Sequence, residues 1–459
     1  MATDPVKRIQ TLEHEAPLVR NLQATLAWLA SLPPSPEAPY LTVCLDWRPE
    51  GTEPGREPAP EPKRSQRRSQ EQESGTQRRP SWRQVHRELD DLVVRHGPRG
   101  AAFESLSADV ARIKSYIDEE LDPAAQGVFI VACNHVGIFE PVPLDVPVMT
   151  EIVTGAIPSL RPLVHAAEDF PVYAVLVANQ READLWVLAR QTWQRGVQLE
   201  ADDYPRKQQQ GGWSQRRYQM RADERVEAFA KTIAEETRQA MGEGGDAVDY
   251  LIIAADEPMS SALAAELHPT VKERIIGHIH LPNVTNIDEI VAETAPLVAA
   301  EERRRELAAV QAVRDGAGAG TDGVAGVEET LAALQAGQVM TLVINDDFAQ
   351  PGWADYTLPL YGVGEPPRQH PAGGDAGNLV PADLADVVVR LALQTDATVE
   401  LVQSWVPITA AELECVPDAS DPMPRAEAAR ALDELGGIGA ILRFSVAEQE
   451  ERTEEGTEA

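Results

Sequence analysis

Arg206-Lys207-Gln208-Gln209-Gln210-Gly211-Gly212-Trp213-Ser214-Gln215-Arg216-Arg217-Tyr218-Gln219-Met220-Arg221 is the stretch on which the reading of this chain turns. It holds five basic residues and no acid, in a chain whose formal net charge is -33. A basic island on so acidic a protein marks a place where a polyanion can dock. Gly211-Gly212 permits backbone conformations closed to other residues and close approach to a ligand. Gln215 brings a neutral amide, both donor and acceptor. Such a group can orient a water or meet a developing oxyanion, but it is no base at neutral pH. Trp213 and Tyr218 offer flat faces for base stacking. Together these residues describe a loop that enters an RNA-lined site and places one glutamine. The plain alternative is a solvated, Gln-rich connection without activity.

Outward from this stretch, apolar runs over Val172–Ala178, Asp184–Ala189 and Gln194–Ala201 predict strands before it. Val226, Phe229, Ile233 and Ala240 give an amphipathic helix over Arg221–Met241 after it. The glutamine is thus expected at the tip of a strand-to-helix connection, beside a helix N-terminus that favours anions. Tyr250–Ala254 and Arg274–Leu281 read as further strands around a helix at Ser260–Leu267. The alternation predicts an α/β domain. His278 and His280 fall on one face of the last strand at chelating spacing, with no third metal ligand evident. Asp256-Glu257 at a strand end is either an acid pair or, more commonly, a helix cap. A long helix is expected over Asp288–Arg314, kinked at Pro296. Its Glu301-Glu302-Arg303-Arg304-Arg305-Glu306 run reads as a solvated face. Gly316–Gly320 reads as a flexible linker.

Towards the start, Ala16–Leu32 predicts a helix stopped by Pro33-Pro34-Ser35-Pro36, and Tyr40–Asp46 a buried strand. Between Gly51 and Ser81 no large apolar residue occurs, so a disordered insertion is expected there. Its Arg67-Arg68 and Arg78-Arg79 pairs fit a solvated loop better than an RNA contact. Helical spacing returns at Trp82–His96 and Phe103–Glu120. Val128–Cys133 and Gly137–Pro141 predict a hairpin whose turn holds His135 in a structural role. Towards the end, helices are expected at Val327–Gln335 and Ala382–Gln394, and strands at Val339–Asn345, Ala397–Val402 and Gly437–Phe444. Pro366–Asn378 is a Gly-rich excursion. Ser445–Ala459 is an acidic tail.

Length and composition set the outer bounds. A chain of 459 residues is too long for one ordinary core, and 43% apolar content suits globular domains. Cys44, Cys133 and Cys415 are far apart and odd in number, which fits a reducing cytosol rather than a disulfide framework or zinc site. The charged start Met1–Gln10 lacks the apolar core of a signal peptide, and no run is long enough to cross a bilayer. A cytoplasmic protein without a membrane partner is expected.

The Gly-Gly-x-x-Gln pattern with Arg-Lys and Arg-Arg flanks, together with Gly-Ile-Gly-Ala-Ile-Leu-Arg-Phe at Gly437–Phe444, resembles the eukaryotic-type peptide-chain release factors. It is closer still to the branch of peptidyl-tRNA hydrolases related to the ankyrin-repeat and zinc-finger enzyme and to Pelota. Release factors carry Gly-Gly-Gln, whereas Trp213-Ser214 intervenes here. The resemblance implies three α/β domains: 1–150 with the insertion 51–81, a ribonuclease-H-like middle domain over 151–315, and an α/β/α sandwich over 321–444 that docks partners, followed by the disordered tail 445–459. It implies a ribosome-rescue role at the large subunit's peptidyl-transferase centre, with Gln215 catalytic in hydrolysing peptidyl-tRNA. Gly211, Gly212, Trp213 and Ser214 would supply the loop backbone. Arg206, Lys207, Arg216, Arg217 and Arg221 would bind RNA. The family's Asn-Ile-Lys-Ser decoding motif is absent, which favours action independent of stop codons. No cofactor or metal is expected. Whether a translational GTPase takes part, and whether Gln215 is methylated, the sequence leaves open. A non-catalytic hibernation or stalling factor and a tRNA 3'-end nuclease stand as alternatives.

Overall fold

The computed structural model describes residues 6–13, 22–48, 80–95, 97, 99–168, 171–189, 192–201, 214–242, 248–281, 286–405 and 425–444. In chain order the first elements are β1 (Val6–Glu13), α1 (Leu22–Ser31), β2 (Tyr40–Asp46), α2 (Pro80–Arg95), α3 (Ala101–Glu119), β3 (Gly127–Cys133), β4 (Ile138–Leu144), β5 (Glu151–Gly155) and α4 (Arg161–Glu168). Then come β6 (Tyr173–Ala178), β7 (Glu182–Ala189), β8 (Thr192–Ala201), α5 (Ser214–Ala240), β9 (Tyr250–Ala255), α6 (Met259–Glu266), α7 (Pro269–Lys272), β10 (Ile275–His278) and α8 (Ile287–Ala319). The last are β11 (Gly323–Ala325), α9 (Val327–Gln335), β12 (Val339–Asn345), β13 (Pro351–Asp355), β14 (Leu360–Val363), β15 (Val380–Asp383), α10 (Leu384–Gln394), β16 (Thr398–Val402), α11 (Glu427–Asp433) and β17 (Ile438–Leu442). The protein is a mixed α/β chain with several sheets. Most of the expected insertion, the acidic tail and Cys415 lie outside the described residues.

Residues 1–17 and 169–304 form one body. Its six-stranded sheet has the order β1-β8-β7-β6-β9-β10. β6, β7, β8 and β1 are antiparallel neighbours, while β9 and β10 run parallel to β6. Strands with both faces apolar must be covered twice. One face carries Leu176, Leu185, Val197 and Ile253 against Val226, Phe229 and Ile233 of α5 and Leu263 of α6. The other carries Tyr173, Val175 and Ile252 against Ile290 and Val298 of α8. Tyr173 and Thr294 share a buried hydroxyl hydrogen bond of 3.2 Å on that side. Gly196 on β8 lies under the Trp186 ring, where a Cβ would sit 2.5 Å from it.

Residues 18–168 and 305–459 form the second body. Its first sheet, β4-β3-β2-β5, is antiparallel throughout. The hairpin expected at His135 is there, closed by a 3-10 turn over Asn134–Val136 whose His135 N–H donates to Ser105 Oγ. On one face Leu41, Val43 and Ile130 meet Val85 and Leu89 of α2 and Leu106 and Ile113 of α3. On the other, Tyr40, Cys44, Phe129 and Val131 are equally buried. The second sheet, β11-β17-β12-β16, carries Val343 and Val402 against Val310 and Val313 of α8 and Leu432 of α11. A third, three-stranded sheet, β14-β13-β15, is an element the sequence did not announce.

α10 joins these pieces. Nearly every residue from Leu384 to Arg390 is buried, as a helix enclosed on all sides requires. Its polar side chains fall at one-turn intervals. Asp386 accepts from Ser159 Oγ at 2.7 Å, Arg390 Nη2 donates to Leu32 O at 2.6 Å, and Gln394 Nε2 donates to Ala30 O at 2.8 Å. Ala30 and Leu32 stand at the carboxyl end of α1, where carbonyls lack helical partners, so α10 caps α1 from across the interior. Arg161 of α4 adds a bond to Phe348 O at 2.9 Å. Glu168 accepts from Leu401 N at 3.0 Å and so covers the outer edge of β16.

Gly316–Gly320 departs from the expected linker: α8 continues to Ala319. A Cβ on Gly316 would lie 2.6 Å from the Gly323 backbone nitrogen, and one on Gly323 would lie 2.9 Å from Val313 O. These glycines serve close helix-to-strand packing, not mobility. Pro296 lies within the same helix.

Candidate functional site

Ser214 is the first residue of α5, so Gln215 lies in a helical first turn rather than in a loop ahead of a helix at Arg221. Arg216, Arg217 and Arg221 follow in the same helix. Arg206, Lys207, Gly211, Gly212 and Trp213 lie outside the described residues. Thr192–Ala201, the strand that leads into the stretch, is paired on both edges, with β7 and β1. The helix that leaves it is fixed further along by Val226, Phe229, Ala230 and Ile233. At about 1.5 Å of rise per residue, the Gln215 backbone stands roughly 16 Å along the axis from Val226. That separation is about three turns, so both residues share one line of the helix.

The electrostatics of this helix start are unusual. The first turn of α5 contains no acid, although carboxylates there would be stabilising, and cations near an N-terminus are unfavourable by about 0.3–1 kcal/mol each. Arg216 and Arg217 in that first turn therefore oppose local stability. A bound polyanion reverses the sign of both terms, since phosphate pairs with guanidinium and with the free N–H groups of the helix.

The other groups singled out from the sequence lie elsewhere. Glu257 accepts from Ser261 Oγ at 2.9 Å in the first turn of α6, and no side chain caps that helix. His278 and His280 are exposed. Among the described residues no three His, Cys, Asp or Glu side chains come together as a metal site. A cavity of about 330 Å³ in the second body is lined by Leu26, Val164 and Leu393, with Glu168 and Asp396 at its polar side. Of its two carboxylates, Glu168 is held by the Leu401 amide.

The sequence reading missed two polar clusters. In one, Asp355 Oδ1 accepts from Thr357 N at 2.7 Å, and Oδ2 lies 2.9 Å from His370 Nε2, with both side chains fully buried. Ala372 N donates to His370 Nδ1 at 3.1 Å, which places the ring proton on Nε2, facing Asp355. Asp355 is held down to about 2, first by the Thr357 hydroxyl. With both carboxylate oxygens and both ring nitrogens engaged, the pair anchors the Gly-rich excursion. In the other, Arg425 binds Asp347 at 2.8 Å and also Asp433, below the Trp405 ring. The signal for both was present only as isolated Asp, His and Arg residues far apart in sequence.

Residues 158–302 match the family model described as bacterial archaeo-eukaryotic release factor family 10. The matched segment contains β6 to β10, α5 and the whole Arg206–Arg221 stretch. No curated protein matches significantly. Among solved structures, Pelota from Archaeoglobus fulgidus is 16% identical over 71% of this chain and 81% of its own, with a TM-score of 0.31. The archaeal translation termination factor aRF1 is 15% identical, over 92% and 98%, with a TM-score of 0.22. Dom34 from S. cerevisiae is 12% identical, over 67% and 75%, with a TM-score of 0.37. None superposes closely enough to bear on the site. No described helix is long and apolar enough to cross a membrane.

Proposed function

We propose that this protein is a ribosome-associated release or rescue factor that hydrolyses the ester between a nascent peptide and tRNA without reading a stop codon. The observation that carries the reading is the position of Gly-Gly-x-x-Gln. It lies inside the matched segment, after the last strand of an antiparallel run, and ends in the first turn of the long helix that packs on the same sheet. The strand order β8-β7-β6-β9-β10, with three antiparallel strands followed by two parallel ones, supports reading this body as ribonuclease-H-like.

In this mechanism the Gln215 amide orients a water towards the ester carbonyl carbon. The water oxygen bonds to that carbon and the bond to the tRNA 3'-ribose oxygen breaks. The ribose oxygen takes a proton, leaving a peptide carboxylate and a tRNA with a free hydroxyl. A neutral amide cannot remove the water's proton, so the RNA of the peptidyl-transferase centre must carry it. Gly211-Gly212 lets the loop thread a narrow cavity. Arg206, Lys207, Arg216, Arg217 and Arg221 pair with phosphates and supply affinity without sequence preference. The reaction needs no cofactor.

One observation favours a second reading. Trp213-Ser214 separates the glycines from Gln215, and the Gln215 backbone is already helical, which suits a non-catalytic ribosome-binding factor. Ribosomes loaded with labelled peptidyl-tRNA separate the readings. Free peptide with intact tRNA, lost in Gln215→Ala, supports the hydrolase. Co-sedimentation without release by either protein supports the binding factor. A shortened tRNA means nuclease action.

A further inference from the structure

The cavity of the second body opens where α1, α4 and the turn from α10 into β16 meet. Its floor is apolar. Leu26, Val164 and Val399 are almost fully buried, and Ala167 and Leu393 continue the wall. Protein interiors leave few voids larger than a water, so a cleft of about 330 Å³ among such side chains is a departure from ordinary packing. Its size is that of a small-ligand pocket.

The mouth carries one sign of charge. Asp396 and Glu168 line it together with Gln23 and Thr398, and no lysine, arginine or histidine among the described residues does. The Leu401 amide donates to Glu168 Oε2, which leaves the carboxylate's charge in place. Asp396 is exposed and has no ion-pair partner among the described residues. It is also an unusual choice for its position. It follows the Thr395 cap of α10 at φ 54°, and Ala397 N closes the helix onto Ala392 O at 2.9 Å. Glycine or asparagine is usual at this left-handed position, and a carboxylate beside the negative end of a helix is unfavourable. The charge is thus kept at the cost of local stability, at the mouth of an apolar cleft. Leu393, in the last turn of α10, brings the same negative helix end to the wall.

These features sort the ligands that fit. An anion meets only like charge. A bare metal ion meets a mostly apolar wall, and among the described residues no three acids, histidines or cysteines gather to hold one. A neutral apolar molecule leaves Asp396 without a counter-charge. We infer that the cleft binds a small amphipathic amine, with its apolar body on Leu26, Val164 and Val399 and its ammonium group at Asp396. Bound there, the amine ties α1, α4 and the start of β16 together. The site is independent of the tRNA chemistry, since it lies in the body that lacks Gln215.

The test uses the full chain and phenethylamine as the probe, with 2-phenylethanol and 3-phenylpropionate as its neutral and anionic counterparts. At about ten times its dissociation constant, phenethylamine raises the thermal midpoint of the second body by roughly 2–5 °C. The alcohol binds about tenfold more weakly or worse, and the acid does not bind. Hydrogen exchange slows in peptides covering residues 23–31, 164–168 and 393–399. Asp396→Asn keeps the left-handed turn and lowers amine affinity by about tenfold, to the level of the alcohol. Ala27→Leu suits the helix and fills the cleft from α1, so it abolishes binding of the amine and the alcohol alike. Diffuse attraction of an amine to a chain of net charge -33 would survive both single substitutions. Equal affinity in wild type and Asp396→Asn, equal affinity for amine and alcohol, or no protection of the three peptides overturns the site.

Discussion

Replacing Asp386 by Asn is expected to stabilise the second body at neutral pH and to do so less as the solution is acidified. Asp386 is 8% exposed on α10. Burial raises its carboxyl group from 3.8 to about 6, against the lowering effect of the Ser159 hydroxyl and Arg161. A raised acid binds its proton more tightly in the folded state. Its contribution is therefore most favourable at low pH and is lost as pH climbs from the unfolded value through the folded one. The full loss is about 3 kcal/mol, since each tenfold gain in proton affinity is worth about 1.4 kcal/mol. About half of it falls between pH 5 and pH 7.5. Asn keeps an acceptor for Ser159 Oγ and forgoes only a loose, part-exposed pairing with Arg161, 3.7 Å away. Such a pairing is worth less than about 1 kcal/mol. Asp386→Asn should thus exceed wild type by about 1–3 kcal/mol at pH 7.5, with the gap narrowing by about 1.4 kcal/mol at pH 5. Urea unfolding at a series of pH values reads this directly, with amide exchange in α10 assigning the transition to the second body. A gap that does not change with pH, or a variant weaker than wild type at pH 7.5, would refute the reasoning.

Three further outcomes are expected. Gln215→Ala should lower peptide release from loaded ribosomes by about 10²–10³-fold while leaving co-sedimentation unchanged; equal loss of both would mean the glutamine is a binding group. Gly316→Ala puts a methyl group 2.6 Å from the Gly323 nitrogen, and calorimetry should show a loss of about 1–3 kcal/mol. His370→Ala removes the ring that holds Asp355 and accepts from Ala372, so amides around 372–377 should exchange much faster with little change in α10.

Much of the architecture was legible because its signals are local. Val339–Asn345 and Val327–Gln335 are present with the expected bounds, and the strands around Val175 and Ile252 differ from expectation by one or two residues. Apolar periodicity over five to ten residues suffices for such elements. β1 escaped because Val6–Glu13 is charged and its partner is β8, with Val6 opposite Ala201; nothing local announces a pairing that remote. The β13–β14–β15 sheet escaped for a similar reason, since β13 pairs with β15 across the Gly-rich excursion, Trp353 opposite Pro381. Gly316–Gly320 misled because glycine serves loose linkers and tight crossings alike. At the candidate site, the residue types and their charge were plain, but the start of the helix at Ser214 was not. Arg216, Arg217 and Arg221 break the amphipathic pattern that would have marked it.

The enclosure of α10 also has a temporal side. α1 closes at Ser31, and the helix that caps it opens at Leu384. At roughly 5–20 residues per second of synthesis, α1 waits on the order of 20–70 s for that helix. Throughout that interval the carbonyls of Ala30 and Leu32 lack the donors that Gln394 and Arg390 supply. Nascent chains of this protein are thus expected to require shelter from chaperones late into translation, and truncated products lacking α10 to be recognised as unfinished.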